Sequence, residues 1–136
     1  MKVSTLKTLM ILILISSLIF GVVLLFAKTN TEKYKNKLIS SPDFDLLSKY
    51  GCIACHSLDG SKMIGPSFLD LAKGKVKVKD SNGKEKEVVV NAEYIRRSII
   101  EPNEEIVVGY RKFSMPEQKH RLKGKDLEKI VKLLTP

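Results

Sequence analysis

The sequence predicts a small, mostly α-helical domain with one β-hairpin, preceded by a single transmembrane helix, and three observations predict it. Leu9 to Ala27 carries no charge, and its polar residues are Ser16 and Ser17 alone. Beyond it, apolar residues recur at helical spacing in three separated segments, each bounded by capping or helix-breaking residues. Between the first and second of these, Lys75-Val76-Lys77-Val78 alternates at period two, Asn82-Gly83 offers a two-residue turn, and Val88-Val89-Val90 can pair back.

The expected organisation is a short N-terminal segment (1–8), a transmembrane anchor (9–27), a linker (28–40) and one folded domain (41–136). Nineteen helical residues rise about 29 Å, close to the thickness of a bilayer's hydrocarbon core. A cleaved secretory signal is the competing reading, with a shorter apolar core and small residues before the cut. Leu25-Phe26-Ala27 places Leu where that pattern wants a small residue, and no Cys follows the run to take a lipid. An uncleaved anchor is therefore expected.

The net charge of +9 is concentrated near that anchor. From Leu38 onward 18 basic side chains face 14 acidic ones, while Lys2, Lys7, Lys28, Lys33, Lys35 and Lys37 sit where anionic headgroups attract them. A nucleic-acid role gets no further support. Lysines flank the apolar run on both sides, so charge alone does not orient it. The stretch 28–40 is polar, Lys-rich and without apolar periodicity, which reads as a flexible tether about 20 Å from end to end.

The first helix is expected from Ser41, a capping hydroxyl, with Pro42 at the first helical position and Asp43 and Asp45 in the first turn. Phe44, Leu46 and Leu47 form its stripe and Gly51 ends it. Asn91 caps a second helix carrying Tyr94, Ile95, Ser98 and Ile99 on one side and ended by Pro102. Leu127, Ile130 or Val131, and Leu134 mark a third, expected to pack against the first. On the hairpin, the lysines from Lys73 to Lys79 read as a docking patch for an acidic partner or, more commonly, as a solvated edge guarded against pairing.

Directly after the first helix stands Gly51-Cys52-Ile53-Ala54-Cys55-His56, the C-x-x-C-H spacing of covalent haem attachment. Two thiols three residues apart can each add across one haem vinyl group, and the adjacent imidazole then meets the iron. Zinc would need a second ligand pair, which is missing, and a thioredoxin-like dithiol would need a βαβ context. The two cysteines cannot supply a disulfide framework, so one covalently bound haem c is the expected staple of so short a domain. A second axial ligand comes from Met63, Met115 or His120. Met63 is only seven residues past His56, which leaves little chain to travel to the opposite face. Met115, in an irregular stretch between two helical segments, is the expected ligand.

At this point the chain resembles class I cytochromes c, and more closely the cytochrome c domain fused to subunit II of some bacterial haem-copper oxidases. The resemblance covers about residues 41–134. It rests in order on Gly51 to Gly60, Gly65-Pro66-Ser67-Phe68, Glu93-Tyr94-Ile95-Arg96-Arg97-Ser98-Ile99, Glu101-Pro102-Asn103, and Gly109-Tyr110 ahead of Met115-Pro116. It implies a class I cytochrome c-like fold with a hairpin insertion, haem contacts from Pro66 and Tyr110, and a Pro66 carbonyl that orients His56. Subunit II also carries a dinuclear copper site, for which no Cys or His remains here, so a free-standing cytochrome or small subunit is expected.

With His56 and Met115 both engaged, no site is vacant for substrate, and the expected activity is single-electron transfer rather than catalysis. A thioether ligand raises the potential, which implies partners such as a quinol-oxidising complex and a terminal oxidase. Thioether attachment takes place outside the cytoplasmic membrane, so the haem domain is expected on the periplasmic side with Met1 inside. A peroxidase or small-gas sensor with a labile distal ligand is the alternative.

Overall fold

No proline precedes Pro42 and Gly21 is the one glycine before Gly51, so nothing in the sequence interrupts a helix near the N-terminus. The computed structural model describes residues 3–136; Met1 and Lys2, which open the short segment 1–8, lie outside the described residues. About half of the chain is helical. It divides into a first unit ending at Glu32 and a second from Lys33 to Pro136.

Helix α1 runs from Val3 to Ile39. In the first unit its leucines, isoleucines and phenylalanines are exposed, and the helix is long and apolar enough to cross a membrane. A helix meets the requirement of lipid because it satisfies its backbone polar groups internally.

The second unit corrects the expected linker. Residues 28–39 are helical, and Tyr34 and Leu38, four positions apart on one face, are buried in the core. Two apolar residues are too few for periodicity to register, yet Leu38 is fully buried and contributes as much as any core leucine. The Tyr34 hydroxyl donates to the Leu134 carbonyl at 2.6 Å, and Lys37 Nζ to the Thr135 carbonyl at 2.5 Å. The helix stops ahead of Pro42, which forces its predecessor out of helical geometry.

The next helix starts later than expected. Ser41 Oγ accepts from the Asp43 amide at 3.2 Å, but it caps a turn over 42–44, and α2 spans only Asp45–Lys49. A 3₁₀ turn at Cys52–Ala54 and a short helix α3 at Phe68–Leu71 follow, the latter capped by Ser67, whose hydroxyl accepts from the Leu69 amide.

Strands β1 (Lys75–Lys79) and β2 (Glu85–Val89) form the expected antiparallel hairpin, pairing Lys75 with Val89 and Lys79 with Glu85. Its loop is longer than the two-residue turn expected. Asp80 Oδ1 accepts from the amides of Asn82 and Lys84, and Gly83 sits at φ +80°, a left-handed conformation that suits glycine. A third strand, β3 (Ile106–Val107), lies on the other side of β1, giving the order β2-β1-β3. Sequence alternation misses β3 because two residues are too short to alternate.

Helix α4 (Ala92–Ile100) is capped by Asn91, whose side chain accepts from the Tyr94 amide at 2.8 Å. Its buried face is Tyr94, Ile95 and Ile99. Helix α5 (Gly124–Leu134) packs against α4 and also meets α2, the partner expected for it. Lys49 Nζ and Tyr50 Oη both donate to Asp126 Oδ2, at 2.8 and 2.7 Å. Leu38, Leu47, Ile95, Leu122, Ile130 and Leu134 close the core between these elements.

Candidate functional site

The Cys-Ile-Ala-Cys-His segment leaves α2 through Gly51 and tightens at once, so that the amides of Cys55 and His56 both bond to the Cys52 carbonyl, at 3.2 and 3.0 Å. A turn this tight puts both thiols and the imidazole within one and a half turns of chain. Cys52 and Cys55 are free and half-buried, and with His56 they line a cavity of about 340 Å³. Its wall is largely apolar, with Tyr94 and Ile99 from α4 and Ile130 and Leu134 from α5.

Three contacts hold the His56 ring. Its Nδ1 lies 2.7 Å from the Pro66 carbonyl oxygen, which can only accept, so Nδ1 carries a hydrogen, and in the neutral ring the lone pair is then on Nε2. The ring stacks on Phe68 with centroids 5.0 Å apart and planes 17° from parallel. It also presses on the backbone of Gly65, where a Cβ would fall 2.8 Å from Nδ1 and 2.9 Å from Nε2. Only glycine allows that approach. Burial pushes the imidazole pKa down, against the upward pull of the Pro66 carbonyl, which favours the neutral form that metals bind.

Cys52 differs from the nucleophile of a disulfide-exchange site. An exchange nucleophile has a depressed pKa, whereas burial pushes the Cys52 thiol up. Among the described residues no group of three or more His, Cys, Asp and Glu side chains stands together to hold a metal ion, as a structural zinc site would require.

Of the three axial candidates, Met115 is half-buried, packs against the core and lines the cavity, as does Tyr110. Met63 and His120 are exposed and lie outside the lining. The Met115 loop is anchored at Phe113, whose amide donates to Asn103 Oδ1 at 2.9 Å while its φ is +61°. Sequence reasoning quoted Gly65 and Phe68 as motif letters without assigning them work. It passed over Arg111, Gln118 and Arg121, which also line the cavity and carry no local pattern.

Three of the four lysines from Lys73 to Lys79 are paired with acidic side chains. Lys73 pairs with Asp70 at 2.6 Å, Lys75 with Glu87 at 3.0 Å and Lys79 with Glu85 at 3.3 Å. Glu85 and Glu87 stand on the same face of the adjacent strand, so ion pairing along the sheet surface accounts for these lysines, and the edge-guarding reading falls because β1 is the central strand between β2 and β3. Compared with known proteins, the chain matches no family model and no curated protein.

Proposed function

We propose that this chain is a membrane-anchored monohaem cytochrome of the c type, with a class I-like fold, which passes single electrons in a respiratory chain. The observation that carries the reading is the convergence of Cys52, Cys55, His56 and Met115 on one apolar cavity. The residues present fit the group. The two thiols sit at the cavity wall, burial favours the neutral imidazole, whose Nδ1 is engaged by the Pro66 carbonyl, and a thioether comes from a separate loop.

In this reading Cys52 and Cys55 would hold a haem through two thioether bonds, and His56 and Met115 would ligate its iron. The bound iron supplies a one-electron couple between its ferrous and ferric states. The Pro66 carbonyl, Phe68 and Gly65 fix the orientation of His56, and an acceptor hydrogen-bonded to the far nitrogen raises the basicity of a ligating imidazole. The walls from α4 and α5 line the cavity with apolar side chains, among them Ile95, Ile99 and Ile130. Helix α1 anchors the domain at the cytoplasmic membrane, with the domain on the outer, periplasmic side where thioethers form. Partners are a quinol-oxidising complex as donor and a terminal oxidase as acceptor.

The test is expression in a bacterial host carrying c-type maturation machinery, followed by haem staining of a denaturing gel and a pyridine haemochrome spectrum. A stained band near 15 kDa with the two-thioether spectrum is expected, and Cys52→Ser or Cys55→Ser should give the single-thioether spectrum. Absence of covalent haem in membranes that contain the protein would overturn the reading. Protease added to intact spheroplasts should release the haem-staining fragment, and its protection would overturn the orientation.

A further inference from the structure

Phe113 is the one non-glycine residue among the described residues whose backbone enters the left-handed region, at φ +61°. A side chain there is strained by its Cβ, and such strain persists only where the surroundings impose it. Burial does not impose it here. Phe113 is 76 % exposed, and its ring meets Lys112 Nζ of the neighbouring residue at 5.3 Å. What imposes it is a bond to distant chain. The Phe113 amide donates to Asn103 Oδ1, and among the described residues this is the one hydrogen bond that ties residues 111–116 to chain outside them. Asn103 stands on a fixed base, half-buried at the cavity wall behind the buried Pro102, whose ring sets its own φ. The Glu104 amide closes that turn on the Glu101 carbonyl at 3.1 Å.

We propose that Asn103 is a positioning residue for Met115. Its side-chain carbonyl holds the left-handed turn at Phe113, and that turn directs the thioether, two residues on, into the cavity. The inference rests on the haem reading above, in which Met115 ligates the iron. Without the bond, Phe113 relaxes to an ordinary φ near −60°, a rotation of about 120° that redirects the chain carrying Met115. An amide donor calls for an oxygen acceptor, so Asn or Asp can hold the turn and a hydrocarbon side chain of the same shape cannot.

The experiment titrates imidazole into the ferric, haem-loaded full chain, since imidazole must displace Met115 to bind. Loss of one hydrogen bond should tighten imidazole binding about three- to tenfold in Asn103→Leu. Asn103→Asp, which keeps an oxygen acceptor, should stay within about twofold of the wild type. Phe113→Val should behave like Asn103→Leu, because a β-branched residue resists positive φ. In a Met115→Ala background, Asn103→Leu should have no further effect, since nothing remains to be positioned.

Unchanged imidazole affinity in Asn103→Leu would overturn the assignment. So would an equal tightening with Met115 already removed, as the side chain would then merely shield the cavity. Melting separates a purely structural role. In Asn103→Leu the near-infrared absorption should disappear well below the loss of far-ultraviolet circular dichroism, and transitions lowered together would overturn the positioning role. If the variants fail to accumulate, hydrogen exchange in the wild type still decides the matter. A protected Phe113 amide supports the assignment, and one that exchanges as fast as the Lys112 amide refutes it. Failure of the cytochrome reading itself is separately visible, as wild-type protein without covalent haem.

Discussion

The phenolic oxygen of Tyr34 lies 2.6 Å from the carbonyl oxygen of Leu134, joining the last turns of α1 to the end of α5 across a hundred residues of sequence. The contact makes the end of α1 part of the folded domain. Tyr34→Phe in the full chain should lower stability by about 1 kcal/mol, the net worth of one hydrogen bond. Leu38→Ala should lower it by about 2–4 kcal/mol, since Leu38 is fully buried. For a domain of about 100 residues each kcal/mol corresponds to roughly 4–8 °C in Tm, readable by thermal melts in detergent. A Leu38→Ala protein melting within 2 °C of the wild type would return residues 28–40 to the role of tether.

Gly65 is the residue on which the imidazole rests. Gly65→Ala places a methyl group in the volume of the His56 ring, so the ring must move and the 2.7 Å bond to Pro66 must stretch or break. Overpacking of this kind costs about 1–3 kcal/mol. The expected result is covalent haem retained with a perturbed absorption spectrum and a lowered Tm. An unaltered spectrum would show that the Gly65 contact does not position the ligand.

Met115 lines the cavity, while Met63 and His120 are exposed and do not. If the chain is the proposed cytochrome, Met115→Ala should abolish the weak near-infrared absorption of a sulfur–iron contact, lower the potential, and let the reduced protein bind carbon monoxide, which the wild type should exclude. Met63→Ala and His120→Ala should leave all three unchanged. Carbon monoxide binding by the wild type would instead favour a small-gas sensor.

Glu105 sits between Lys86 Nζ at 2.5 Å and Arg97 Nη2 at 2.8 Å. Burial would raise its pKa, but the hydrogen bonds and charges of Lys86 and Arg97 win and hold it below the ordinary 4.5. A carboxyl whose folded pKa is depressed adds stability that is fully present above its unfolded pKa and fades as pH falls through the folded value. Glu105→Gln should therefore lose about 1–2 kcal/mol at neutral pH relative to the wild type. The gap should close below about pH 4.5 as the wild-type carboxyl protonates. Urea titrations at pH 7 and pH 3.5 check it, and a gap of equal size at both would remove the ion pairs as its cause.

What the sequence determined by itself is what short-range chemistry determines. The charge-free run from Leu9 to Ala27 dictates a helix able to span a membrane, because lipid offers no other partner to its backbone. Asn91 caps α4 and Val76 and Val78 set the face of β1, since capping and pleating act within a few residues. The spacing of Cys52, Cys55 and His56 is likewise written in adjacent letters. Tertiary structure decided whatever depends on distant chain. Tyr34 and Leu38 became helical core in place of linker because Leu134, Leu47 and their neighbours were there to bury them. The pair Ile106–Val107 became a strand because β1 had an open edge. Met115 was brought to the cavity, and Met63 left outside it, by the path of the loop after β3. Arg111, Gln118 and Arg121 share that cavity although no spacing links them.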